Sequence, residues 1–305
     1  NLPDWLSNSL REQLGDEDFW ALVATFSAGA PLDLRVNAIK NKREAVIEAL
    51  AAANIHAEPT PYSPIGLRIQ GKPALQKLAL YTGGEVEVQD EGSQLLALLT
   101  GAKRGEMVVD FCAGAGGKTL ALGAMMRNTG RLYAFDISGH RLDNLKPRLA
   151  RSGLSNVYAT QIAHENDDRI KRLRGKIDRV LVDAPCSGLG TLRRNPDLKW
   201  RQSPKAIEQL QAKQTSILNS AARLLKPGGR LVYATCSLMP AENEVIANAF
   251  SESHPDFVLL DAKEQLEKMS VAQAETLVTP AGHLRLWPHR HATDGFYAVA
   301  WEKKA

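Results

Sequence analysis

From about residue 107 the chain alternates short apolar runs with helical stretches, and few architectures accept that pattern. The runs are "MVVDF" (107–111), "RLYAFD" (131–136), "NVYATQI" (156–162), "IDRVLVD" (177–183), "GRLVYAT" (229–235), "DFVLL" (256–260) and "FYAVAW" (296–301). Their β-branched and apolar content predicts strands. Strands alternating with helices pair in parallel, with crossover helices on both faces of one sheet. The helix over about 204–225 is the clearest. Ser203 can cap it, Pro204 suits its first turn, and Ile207, Leu210, Ile217, Ala221 and Leu224 recur at helical spacing. Gly228-Gly229 end the segment. The expected fold class is α/β with a Rossmann-like sheet.

In an open sheet of this kind, ligands bind in the crevice outside the carboxyl ends of the strands. Two cysteines fall there. "DAPCSG" puts Cys186 just past the strand ending at Asp183, and "YATCS" puts Cys236 just past the strand ending at Thr235. These are site positions, not core positions.

The chain has 305 residues, 44% hydrophobic and 24% charged, enough for one large domain and a smaller one. No apolar run approaches a membrane span, and no signal-peptide pattern opens the chain. It opens at Asn1 without a methionine, as a piece of a longer protein would. Its 3 cysteines form no CxxC pair. That argues against a disulfide framework or a zinc site and for a reducing, cytoplasmic setting, so no metal is expected. A net charge of +4 permits a nucleic-acid partner without demonstrating one.

Residues 1–85 read differently. "LPDWLSNSLREQL" (2–14) and "DEDFWALVATFS" (16–27) are amphipathic helices by pattern. "LDLRVN" (32–37), a helix over about 42–53 and "GLRIQ" (66–70) make a small α+β module, punctuated by Pro59, Pro61, Pro64 and Pro73. "VQDEGSQLLALLTG" (88–101) then leads as a helix into the larger domain, residues 86–305.

"VVDFCAGAGGKT" (108–119) is a strand, a small-residue turn and a helix start. A P-loop needs GxxxxGK[ST]; Gly117, Lys118 and Thr119 fit, but Cys112 occupies the first glycine position. A dinucleotide loop needs GxGxxG; Gly114 and Gly116 fit, but Thr119 occupies the last position. Both patterns fail by one residue. A loop this small still lets a ligand approach the backbone. Asp136 ends the next strand, where an acid commonly takes ribose hydroxyls. A glycine loop plus an acid with no phosphate anchor suits an adenosine cofactor without a pyrophosphate, such as S-adenosylmethionine.

"DFCAGAGGKT", "DAPCSGLG" and "YATCS…ENE", with "LRRNPDLKW", "LRVN" and "VQDEGSQ", resemble the motifs of the RsmB/NOP/NSUN family of RNA cytosine-5 methyltransferases. The resemblance runs over nearly the whole chain, in order. It implies a seven-stranded methyltransferase sheet with a small RRM-like N-terminal domain. It also implies a monomer that transfers a methyl group from S-adenosylmethionine to carbon 5 of a cytidine in RNA. By the same resemblance Cys236 is the nucleophile, Cys186 assists release, and Asp183 lies near cofactor and base. Cys112, Ala113, Gly114, Ala115, Gly116, Gly117 and Lys118 bear on the cofactor's methionine part, and Asp136 on its ribose. Two places depart from the family. Gly114-Ala115 stand where Ala-Pro is usual, and near Ile162-Ala163 no aspartate follows the third strand. No residue is carried over there.

The chemistry explains a pair of cysteines. Carbon 5 of cytosine is a poor nucleophile. Thiolate attack on carbon 6 makes it enamine-like, so one difficult step becomes two easier ones. The carbon 5 proton must then leave and the thiolate must be expelled. A thiol is mostly protonated at neutral pH, so the site must favour thiolate. An acid beside ring nitrogen 3 helps the attack. DNA cytosine methyltransferases attack with a PC cysteine, so the assignment of Cys236 rests on the TC motif.

On the substrate side, residues 141–201 hold 14 Lys/Arg against 7 Asp/Glu. Arg193 and Arg194 are the expected phosphate contacts, in a loop just beyond Cys186. Trp200 is expected in the core and Cys112 as packing. Arg35 and Asn37 either dock RNA or form a strand-end pair. His289 and His291 are expected on a surface loop near the substrate, not as metal ligands. The target must be flipped or single-stranded, which RNA loops offer readily. Ribosomal RNA is favoured over tRNA, so the expected role is rRNA processing to 5-methylcytosine. Two other readings are a non-catalytic RNA-binding protein on this fold and a small-molecule methyltransferase. The intact cysteines oppose the first, and the second needs neither Cys186 nor the basic segment.

Overall fold

A computed structural model describes all 305 residues. The small N-terminal sheet contains β1 (Leu32–Val36), β2 (Ala57–Pro59), β3 (Gly66–Ile69) and β4 (Val86–Val88), in the order β2-β3-β1-β4 and antiparallel throughout. The sheet therefore runs past residue 85, through Val88. Leu34, Val36 and Leu67 pack under the helix Arg43–Ala52 through Val46 and Leu50. The first helix, Asp4–Ser27, carries both amphipathic segments and breaks at Gly15, whose φ of 72° no side-chain residue adopts cheaply. It packs on the other domain, with Leu6, Leu10, Phe19 and Leu22 against Leu189, Leu192, Ile207 and Trp287.

The larger sheet holds β5 (Met107–Asp110), β6 (Arg131–Asp136), β7 (Val157–Gln161), β8 (Ile177–Asp183), β9 (Leu225–Thr235), β10 (Phe257–Leu260), β11 (Leu284–Leu286) and β12 (Phe296–Lys303). Seven strands run in the order β7-β6-β5-β8-β9-β12-β10, and β11 pairs with the free side of β12 beside β10. The strands β5 to β9 pair in parallel; β12 is antiparallel to both of its long neighbours. Side chains alternate across the sheet. Val109, Val180, Val182, Leu231 and Tyr233 enter one apolar layer, and Val108, Leu181, Val232 and Ala234 the other. Burying each such side chain contributes roughly 1.5–3 kcal/mol. Strand order reverses between β5 and β8, so the crevice at their carboxyl ends is the switch point where ligands bind.

The helix capped by Ser203 spans Pro204–Ala222, shorter than the spacing predicts. Its end is set by the sheet. The Leu224 carbonyl accepts from the backbone N–H groups of Lys176 and Ile177, at 3.0 Å each, which draws the chain into β9. No helix is long and apolar enough to cross a membrane.

Candidate active site

A cavity of about 500 Å³ opens at the switch point, between the ends of β5, β6, β8 and β9. The glycine loop forms one wall. Gly114 and Gly116 both have positive φ, 56° and 81°, which favours glycine. A Cβ on Gly116 would stand 2.1 Å from Leu145 Cδ1. Gly114 in place of the family's alanine thus fits its backbone. Gly116 turns the loop but does not line the cavity; Cys112, Ala113, Gly114, Ala115, Gly117 and Lys118 do.

The loop carbonyls are held from outside. Arg148 Nη1 donates to Ala115 O at 2.7 Å, and Arg35 Nη1 donates to Gly117 O at 2.7 Å. Arg35 is buried in β1, and burial lowers its pKa to about 10 despite Glu87. So the small domain braces the loop of the large one. Asn37 is buried too and donates to Gly84 O and Ser152 O. Neither residue faces solvent and neither bonds the other, so both the RNA-docking expectation and the strand-end pair give way to bonds from each residue to the larger domain.

The carboxylates divide the work. Asp136 accepts from the backbone N–H of Gly114 and of Ser138, each at 2.8 Å. Asp183 Oδ2 accepts from Lys118 Nζ at 2.8 Å. Burial disfavours the Lys118 ammonium, but the attraction and hydrogen bond of Asp183 turn its pKa upward. Thr119 Oγ1 donates to Asp110 Oδ2 at 2.7 Å. Burial raises Asp110 to about 7. Lys118 and Thr119 are thus both engaged by carboxylates, which leaves no P-loop anchor for a triphosphate.

The two strand-end cysteines meet on the opposite wall. Cys186 Sγ lies 3.4 Å from Cys236 Sγ, and both are free and half-buried. The hydrogen bond with Cys236, then burial, push the Cys186 thiol well above the usual range. Glycine is required nearby. Gly190 N–H donates to Cys236 O at 2.8 Å, and a Cβ there would stand 2.1 Å from Gly295 O. Cys112 packs on the core beside the loop, and burial raises its thiol.

Several cavity residues were not visible in the sequence patterns: Asp110, Ile137, Ile162, Glu165 and Lys213. Glu165 follows β7 by four residues, past the departure at Ile162-Ala163. Ser216 donates to its carboxyl and holds it below the usual range. Strand β7 ends at Gln161, and the sequence reading assigned no residue to the wall after it.

Four expectations need correction. Arg193 and Arg194 are spent on Asp294 and Asp90, at 2.6–3.5 Å, and Arg193 is only 6% exposed. Burial takes Arg193 out of reach of a phosphate, while Arg194 keeps a third of its side chain exposed. Trp200 is 62% exposed, because its helix, Leu198–Arg201, is too short to bury a face. His289 is buried 3.5 Å from Asp18 on the first helix. His291 is buried as well, accepting from Trp287 N–H at 2.8 Å through Nδ1.

Residues 97–302 match a family described as 16S rRNA methyltransferase RsmB/F, and residues 2–76 match the ferredoxin-like domain of RsmF/B-like methyltransferases. The chain is 38% identical, over its whole length and 67% of the relative's, to the probable ribosomal RNA small subunit methyltransferase B of Synechocystis. It is 33% identical to the Bacillus subtilis protein of the same description, over 99% of the chain and 66% of that relative. The chain thus spans about two thirds of the length of these curated relatives. Among solved structures, a methyltransferase homolog protein from Pyrococcus horikoshii superposes with a TM-score of 0.82 at 27% identity, covering 99% of this chain and 95% of that one.

Proposed function

Because the chain belongs to the RsmB/F family of 16S rRNA methyltransferases, we propose that it methylates carbon 5 of a cytidine in small-subunit ribosomal RNA. The observation that carries this reading is the pair of thiols 3.4 Å apart on the cavity wall facing the glycine loop. Methylation of an oxygen or an exocyclic nitrogen has no use for two thiols. Carbon 5 does.

S-adenosylmethionine fits the cavity, which offers a backbone loop, an acid at the next strand end, and a Lys118 and Thr119 already engaged by carboxylates. Cys112–Ala115, Gly117, Lys118, Asp136 and Asp183 would hold it, and it supplies the methyl group. The chain's own residues do the rest. Cys236 Sγ attacks carbon 6, and the electron pair moves towards ring nitrogen 3, to which Asp183 is assigned. After transfer a water molecule takes the carbon 5 proton, the C5–H electron pair re-forms the C5–C6 double bond, and the carbon 6–sulfur bond breaks with its electron pair returning to Cys236. Cys186 retains its proton, since its thiol is pushed up by Cys236 and by burial. Its S–H can hydrogen-bond to the departing thiolate, which is how it assists release. A reducing cytoplasm keeps both sulfurs free. The catalytic domain follows β4 in this reading, and the N-terminal domain, whose sheet includes Val86–Val88, supports its cofactor loop.

The test is one denaturing gel of enzyme, labelled cofactor and 16S rRNA. Cys236→Ala is expected to give no methyl transfer and no adduct. Cys186→Ala is expected to accumulate a protein–RNA adduct that survives denaturation. An adduct from Cys236→Ala alone would reverse the assignment, and transfer to tRNA but not 16S rRNA would move the substrate.

A further inference from the structure

Glu242 belongs to the "ENE" stretch that follows Cys236, is fully buried, and stands outside the cavity wall. Four donors converge on it. Oε1 accepts from Ser187 N–H at 2.8 Å and from Gln214 Nε2 at 3.0 Å. Oε2 accepts from the Ser187 hydroxyl at 2.6 Å and from the Ser237 hydroxyl. Ser187 directly follows Cys186, and Ser237 directly follows Cys236. One carboxylate therefore ties together two turns that are 50 residues apart in sequence. Asn243 extends the grip. It accepts from Thr235 Oγ1 at 2.5 Å and donates to Ser237 O at 3.0 Å, holding the residues on either side of Cys236.

We propose that Glu242 is a positioning residue that sets the separation of the Cys186 and Cys236 sulfurs through Ser187 and Ser237. A carboxylate is the side chain suited to the place. It offers only acceptor sites, and all four of its partners donate. An amide in its position would turn an N–H₂ group against at least one of those donors. The kinetic consequence rests on the two-cysteine reaction proposed above; the geometric consequence does not.

Two readouts keep those apart. Phenylarsine oxide condenses with two neighbouring thiols, forming two arsenic–sulfur bonds and releasing its oxygen as water. The wild-type protein should capture one equivalent, and Cys186→Ala or Cys236→Ala none. Glu242→Gln should weaken capture while S-adenosylhomocysteine binding, which reports the folded cavity, is unchanged. In methylation assays Glu242→Gln should lower kcat roughly 10- to 100-fold with KM little changed, the loss expected when reacting groups move by about 1 Å. The serine variants serve if Glu242→Gln does not fold. Ser237→Ala should slow adduct formation, and Ser187→Ala should accumulate adduct, a split that general destabilisation does not produce. Wild-type capture and kcat in Glu242→Gln, or identical adduct kinetics in the two serine variants, would overturn the proposal. Capture that depends on Glu242 in an enzyme that makes no RNA adduct would support the clamp and overturn the cysteine reaction instead.

Discussion

The turns that carry the two cysteines and the stretch 192–201 that follows one of them are braced in opposite ways. At the cysteines a single buried carboxylate takes hydrogen bonds from uncharged donors only. A few residues on, Arg193 and Arg194 are locked to Asp90 and Asp294 by ion pairs. The difference has a chemical reason. A guanidinium beside the Cys186 turn would pull that thiol down. With Glu242 there instead, Cys186 is pushed further up. At the junction of Arg193 and Arg194 with Asp90 and Asp294 the partners are carboxylates. Arginines can tie the loop after Cys186 to the start of the helix Glu91–Leu99 and to the turn before β12.

The largest expected effect tests the junction. Arg193→Ala leaves Asp294 and Asp90, 4% and 8% exposed at their side chains, without their most buried partner. Breaking a buried pair in this way costs about 3–5 kcal/mol. Denaturant unfolding measures it. A loss below about 1 kcal/mol would place the pair among surface bridges and remove the contrast with the cysteine turns.

The next effect sharpens it through pH. Burial, and then Asp294, raise Asp90 to about 6. The folded state therefore keeps a proton that the unfolded state has already lost. Stability from this group is complete below about pH 4 and is lost as pH rises through about 6. Asp110, raised to about 7, carries the same sign slightly higher. The Asp90 shift amounts to about 3 kcal/mol at about 1.4 kcal/mol per pH unit. Asp90→Asn keeps an acceptor for Gly92 N–H at the helix start and should flatten the unfolding free energy between pH 4 and 6. An unchanged slope would mean that Asp90 is ionised throughout.

Legibility in the sequence follows the range of the interactions. Strand ends, the glycine loop and both cysteine motifs are contiguous stretches, so they can be read directly. Glu242 cannot, because its meaning lies in Ser187, 55 residues away. Arg193 reads as a free cation because Asp294 is 101 residues on. Periodicity fails at Trp200 because a helix of 4 residues has no repeat to read. The same limit hid Asp110. Its pattern says buried strand, and only the packed site shows an acid near pKa 7 facing the cavity.

With the arginines engaged by carboxylates, we predict RNA contact at the exposed Trp200 on the same loop. Trp200 is exposed, Lys199 Nζ lies 5.6 Å from its ring centroid, and Gln202 next to them donates to Ser187 O at 3.0 Å. The ring is therefore open to a base, and its helix is tied to the Cys186 turn through Gln202. Trp200→Ala should weaken RNA binding by about 1–3 kcal/mol and change stability by less than about 0.5 kcal/mol. A variant with full RNA affinity would return the contact to some other surface.

The smallest effect separates a stacking platform from an electrostatic one. Of the 14 basic residues in 141–201, nine are in ion pairs, and Lys199 is among those that are not. A cation already paired to a carboxylate releases few counterions from RNA, so the salt dependence should come from the unpaired ones. Lys199→Ala should lower the slope of log affinity against log salt by about 0.7, the value for one phosphate of a single strand. Trp200→Ala should lower affinity equally at every salt concentration and leave the slope alone. Affinity measured at three or four salt concentrations gives both numbers. An unchanged slope in Lys199→Ala would mean that this lysine serves the tryptophan ring and not the RNA backbone.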